Sequence, residues 1–183
     1  MARQARYDPH ELIHGRGVDP EILRAVLDVG VEIAREGREG RKIGTIFTVG
    51  DHESVLGFSR PLILDPLAGH PDSVRRLSHP GMKETLKELA QLDGAFVITD
   101  SGVVVAAARY LNTGVEGVQI QLGLGSRHLA AAAITKATRC VAIVVSESSV
   151  VRVLHGGAIV GEIVPEVYLF QQWQRLSRAR ERG

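Results

Sequence analysis

Residues 123 to 135, GLGSRHLAAAAIT, set a hydroxyl, a guanidinium and an imidazole (Ser126, Arg127 and His128) at the entrance to an alanine-rich run. The run reads as a helix. The first turn of a helix carries unpaired N–H groups at the positive end of its dipole, and phosphate binds such a place readily. Ser126 can cap the helix or donate to a phosphate oxygen, Arg127 can fork onto a phosphate, and His128 can add a hydrogen bond or a metal ligand. The plainer alternative makes Ser126 only an N-cap and leaves Arg127 and His128 solvated. The glycines complete neither familiar nucleotide fingerprint. GLGSRH lacks the third glycine of a dinucleotide motif, and no Gly-Lys-Ser/Thr follows as in a P-loop.

Two further polar clusters stand at junctions between apolar segments. Asp93-Gly94-Ala95 separates a short amphipathic stretch from a β-rich one. Asp93 could end a helix or open a turn; equally, its carboxylate could hold Mg²⁺ or Mn²⁺ or orient a hydroxyl nucleophile, with Gly94 and Ala95 leaving a ligand room to approach the backbone. Ser146-Glu147-Ser148-Ser149 follows the apolar run CVAIVV, and ligands in open α/β sheets gather at the carboxyl ends of strands. Its alternatives are a solvated turn and a second metal carboxylate, Glu147. The remaining histidines (His10, His14, His52, His70, His79 and His155) show no metal-ligand spacing and are assigned to loops and surface. The single cysteine, Cys140, opens an apolar run and reads as a buried structural thiol. The loop EGREGRK, residues 36 to 42, is basic enough to touch a phosphate but reads more simply as surface.

The elements that must position these residues are legible in outline. The chain has 183 residues, 44% hydrophobic and 23% charged, with a formal net charge of +1. That describes one soluble domain with a core of ordinary size and no global field favouring nucleic acid. No stretch has the makings of a signal peptide or a bilayer-spanning helix, so a cytoplasmic protein with no membrane partner is expected. PEILRAVLDVGVEIARE, residues 20 to 36, has helical spacing behind an Asp19-Pro20 start. KIGTIFTVG reads as a buried strand, PLILDPL as a strand or extended segment, and DPLAGHPDSVRRLSHPG as turn-rich. KETLKELAQL is a short helix. AFVITDSGVVVAA and VVRVLHGGAIVGEIV read as hairpins turning at Asp-Ser-Gly and Gly156-Gly157. PEVYLFQQWQRLSRARERG reads as a helix with a basic end, where a nucleic-acid contact is not expected because aromatic interleaving is lacking beyond Trp173. The result is an α/β domain with a mixed sheet, hairpins and flanking helices.

Taken together, LDGAFVITDSGVVVAAARYL, GLGSRHLAAAAIT and VAIVVSESSVVRVLHGGAIV resemble, in order and spacing, the diadenylate cyclase domain, also the catalytic domain of the DNA-integrity scanning protein. The resemblance is good over residues 84 to 163. It is looser upstream, where REGREGRKIGTIFTVGD is similar to the extension of stand-alone and archaeal-type members. It implies three parts: an extension over 1–83 packed on the catalytic domain, core motifs over 84–163 and a C-terminal helix over 164–183. The DNA-binding helical region of the scanning protein is not expected here.

The resemblance implies condensation of two ATP into cyclic di-AMP and two pyrophosphates. The reaction would need Mg²⁺ or Mn²⁺ and take place across a face-to-face homodimer or within a higher homo-oligomer. It assigns catalysis to Asp93, Arg127 and His128, and metal binding to Asp93 and Glu147. Nucleotide contacts fall to Gly94, Ala95, Tyr110, Leu111, Gly125, Ser126, Arg127, Ser146 and Glu147, with Tyr110 and Leu111 lining the adenine pocket. Two positions depart from the family pattern. Ser126 replaces a threonine and keeps the hydroxyl. Leu129 replaces a second arginine and removes a charge, so that either the reaction is slower or Arg109 or the EGREGRK loop supplies the charge. A catalytically weak or inactive nucleotide-binding regulatory module is therefore the alternative.

Overall fold

The computed structural model describes residues 17–114, 116–118, 120 and 123–180; His10 and His14 lie outside them. Helix α1 (Pro20–Glu36) begins as expected, with the Asp19 carboxylate accepting from Glu21 N at 2.8 Å and Pro20 in the first turn. It ends at Gly37, in the left-handed region at φ 61°, whose N–H reaches the Ile33 carbonyl. A side chain there would run into the Arg41 carbonyl. The following loop closes tightly, Arg38 N donating to Arg41 O and Arg41 N to Arg38 O.

The chain then forms β1 (Thr45–Val49), α2 (His52–Gly57), β2 (Ser59–Pro61), α3 (Asp72–Arg75), α4 (Met82–Leu89), β3 (Ala95–Ile98) and β4 (Val104–Leu111). After these come α5 (Ser126–Ala137), β5 (Val141–Val145), β6 (Val151–His155), β7 (Ala158–Ile163) and α6 (Pro165–Arg180). One seven-stranded sheet runs in the order β2-β4-β3-β1-β5-β6-β7. Only β1 and β3 pair in parallel; the other five neighbours are antiparallel. The mixed sheet and both hairpins are as expected. PLILDPL is mostly irregular: β2 stops at Pro61, and one further bond, Leu62 N donating to Ala108 O at 2.9 Å, ties the segment to β4.

The central strands are buried along their whole length, as a sheet covered on both faces requires. On one face Phe47 stacks on Phe96, ring centroids 4.9 Å apart, beneath Leu23, Leu27 and Ile33 of α1 and Leu86 of α4. On the other, Ala131, Ala132 and Ile134 of α5 cover Ile46, Ala142 and Val144; small side chains let this helix lie close to the strands. The segment expected as an extension supplies β1, which sits between β3 and β5, so residues before and after position 83 share one sheet.

Candidate active site

Strand direction assembles the site. β1 and β3 run parallel and β5 runs against them, with Ile46 opposite Ala95 and Thr45 opposite Val145. The residues just before β1 and β3 and just after β5 therefore share one sheet edge. These are Gly44, Asp93-Gly94 and Ser146-Glu147. The first turn of α5 arrives at the same edge. Arg127 Nη1 lies 3.0 Å from Glu147 Oε1, and Nη2 lies 3.8 Å from Asp93 Oδ1. The three clusters thus meet at one guanidinium.

Arg127 stands at the mouth of a cavity of about 520 Å³. Asp93, Gly94, Ala95, Ser126 and Arg127 line it together with the apolar Ile46, Leu62, Leu111, Leu129 and Ala130, and Arg109, Tyr110 and Thr113 complete the lining. Gly125, His128, Ser146 and Glu147 line a smaller adjoining cleft of about 220 Å³, which Ser126 and Arg127 share with the cavity. A third cleft brings Arg38, Glu39, Arg41 and Lys42 of the basic loop beside Asp93, Arg127 and Glu147. The loop is thus a rim of the site rather than plain surface.

Local structure revises several individual readings. Gly125, extended at φ −79° and ψ −176°, occupies the cap position of α5 and makes no side-chain cap bond. Ser126 is the first helical residue, so its hydroxyl is not the N-cap. Gly94, at φ 105°, lines the cavity with its backbone, while the side a Cβ would take is already filled: that atom would stand 2.7 Å from the Ala108 carbonyl carbon and from Arg109 N. The space goes to the backbone of β4. The turn after β5 is held by its own serines, Ser146 Oγ lying 2.9 Å from Ser148 Oγ, and presents Glu147 at its tip.

His128 is buried, 4% exposed, and its Nε2 lies 3.3 Å from Arg152 Nη1. Arginine only donates, so Nε2 accepts and the ring proton sits on Nδ1. Burial first, then the Arg152 guanidinium, holds His128 below the usual imidazole value. Arg152 in turn donates from Nε to Glu162 Oε1 at 2.7 Å, the residue opposite it on β7. Arg109, a candidate substitute for the missing charge, donates to the Ser59 hydroxyl and carbonyl at 3.1 and 3.0 Å. Cys140 is fully buried, and burial pushes its thiol up to about 12, consistent with a structural role.

Sequence reasoning missed Gly44, Leu62 and Arg152. A glycine opening an otherwise β-rich strand was the one local signal, since such a glycine often marks a close backbone approach. Among the described residues no helix is long and apolar enough to cross a membrane.

The chain is similar to several known proteins. A diadenylate cyclase of Methanocaldococcus jannaschii is 49% identical over 145 residues, 78% of this chain and 45% of that protein. A diadenylate cyclase of Haloferax volcanii is 43% identical over 160 residues, 87% of this chain and 58% of that protein. The chain thus spans about half the length of the curated relatives it matches. The fold is similar to that of a double mutant of DacA from Staphylococcus aureus (TM-score 0.53, 20% identity, 81% of this chain and 90% of that one). It is also similar to that of a hypothetical membrane-spanning protein from Bacillus cereus (TM-score 0.51, 18% identity, 75% and 59%). The model of the nucleotide-binding domain of the DisA bacterial checkpoint controller matches residues 32–159, from the second half of α1 to the start of β7. That stretch carries every strand of the site edge and all three polar clusters, and the chain belongs to this DisA-type nucleotide-binding family.

Proposed function

We propose that the chain condenses two ATP molecules into cyclic di-AMP with release of two pyrophosphates. The observation that carries the reading is the meeting of Asp93, Arg127 and Glu147 beside a pocket that is lined in part by apolar side chains. A flat base suits the wall of Leu62, Tyr110, Leu111 and Leu129, and the triphosphate suits Arg127, the Ser126 hydroxyl and the uncapped first turn of α5. In each half-reaction a ribose 3′-oxygen bonds to the α-phosphorus of the facing nucleotide. The bond from that phosphorus to the bridging oxygen breaks, and pyrophosphate leaves. Such transfers rest on positioning and charge stabilisation. In this reading Arg127 balances charge on the phosphates, and Asp93 orients the hydroxyl and takes up its proton.

The residues fit a divalent cation. Asp93 and Glu147 stand at the two ends of the Arg127 guanidinium, so each would offer a hard carboxylate oxygen to Mg²⁺ or Mn²⁺ singly rather than as a pair. Among the described residues no group of three His, Cys, Asp or Glu could hold a metal, so phosphate oxygens and water would complete the shell. When bound, the cation would neutralise phosphate charge.

One site offers one α-phosphate and one 3′-hydroxyl, whereas the product needs two of each. A homodimer with facing sites supplies both, and the Asp93 side chain, 91% exposed, is open to such a partner. Incubation with ATP and either cation, followed by chromatography, tests the reading; cyclic di-AMP is expected, and its absence with both cations overturns it. The second reading is a nucleotide-binding module without turnover, favoured by the uncharged Leu129 in the pocket wall. It predicts bound, unreacted ATP in the same experiment.

A further inference from the structure

Gly44 opens β1 within Lys42-Ile43-Gly44-Thr45. It is not one of the glycines with positive φ, so its backbone conformation does not call for glycine. What it supplies is space. A Cβ built on Gly44 would stand 2.7 Å from Arg127 Nη1, 2.9 Å from Cζ and 3.2 Å from Nε. The guanidinium lies directly on bare main chain, with Glu147 and Asp93 at its two ends.

We propose that Gly44 is a positioning residue, the floor of a seat that fixes the Arg127 guanidinium between the two carboxylates at the pocket mouth. The inference rests on the reading of that pocket as a nucleotide site. An arginine gives up rotamer freedom when it grips a phosphate. A seated arginine has given it up beforehand, so the seat raises affinity and aims the fork. A methyl group on residue 44 crowds only the far end of a flexible side chain, so Gly44→Ala keeps the fold and displaces the guanidinium.

The test is a cycle of Gly44→Ala, Arg127→Ala and the double variant in the full chain. Calorimetry would follow binding of an ATP analogue with methylene between the α and β phosphorus atoms, in Mg²⁺. Gly44→Ala should bind about tenfold more weakly, and the double variant no more weakly than Arg127→Ala alone, because the methyl then has nothing to displace. Wild-type affinity in Gly44→Ala, or losses that multiply in the double variant, overturns the proposal. A Tm lowered in Gly44→Ala and restored in the double variant supports it; a Tm lowered equally in both traces the crowding to another neighbour and overturns it. A second arm needs no nucleotide. The Arg127 Nε–H resonance, assigned by its loss in Arg127→Ala, should shift in Gly44→Ala, and an unmoved resonance sinks the idea. If the wild type fails to bind the analogue, the nucleotide reading falls, and the resonance still decides the role of Gly44.

Discussion

Asp93 and Leu129 test the site one side chain at a time. Asp93 is exposed and pairs only loosely with Arg127, at 3.8 Å, so it contributes little to stability. Asp93→Asn keeps the shape and removes the charge. It should leave Tm within about 2 °C of wild type while cyclic di-AMP formation disappears; near-normal product from the folded variant would remove Asp93 from the mechanism. Leu129 lies in the pocket wall and is only partly buried. Leu129→Arg should therefore fold, point its guanidinium into the cavity and tighten ATP. A large drop in Tm would show instead that the leucine is needed for packing. Local sequence showed which residue types could do chemistry but not how they meet. Arg127 and Glu147 are twenty positions apart, and no periodicity encodes an ion pair between a helix start and a strand end. Gly94 was readable as a glycine with a purpose, but whether a ligand or a strand fills its empty side depends on the bulged pairing of β3 with β4.

Among the elements, α5 is fastened to the β6–β7 hairpin by the chain His128–Arg152–Glu162. That link holds still the turn bearing Ser126 and Arg127, and it carries a pH signature. The folded value of His128 is depressed, by burial and by Arg152 and Arg127 against the opposing pull of Glu162. Below about pH 6.5, the ordinary imidazole value, the unfolded chain takes up a proton that the folded chain resists. Stability should accordingly fall as pH drops through and below that value, and be full above it. His128→Gln keeps an acceptor for Arg152 and has no titrating ring, so its Tm should fall less than that of wild type between pH 7.5 and 5.5. Equal falls would mean that His128 contributes nothing to the slope. The hairpins and helices were legible because alternation and 3.6-residue spacing are local signals. Strand order was not, because the pairing of β1 with β3 and β5 leaves no trace within any one segment.

For the whole molecule, the proposed reaction makes assembly part of catalysis. If two facing sites each form one of the two bonds, the rate should rise faster than linearly with protein concentration wherever the dimer is partly formed. Adding Asp93→Asn subunits to wild type should then depress activity below simple dilution, since a mixed pair closes only one bond. Rates linear in enzyme from a monomer would refute the facing arrangement. Length and composition pointed to a single domain and the order of helical and strand segments to an α/β one with a mixed sheet, and seven strands in one sheet bear that out. Composition says nothing of a two-fold partner.

The reversal of direction between β1 and β5 has a kinetic consequence. Gly44, Asp93, Arg127 and Glu147 come from four distant stretches of chain, and only the completed centre of the sheet brings them to one edge. Closing such long loops costs entropy before any contact repays it, so the site forms late in folding and is lost early only if the sheet itself opens. A bound nucleotide would then hold the whole domain shut rather than quiet one loop. Amide exchange in β1, β3 and β5 should slow together on binding, as one cooperative unit.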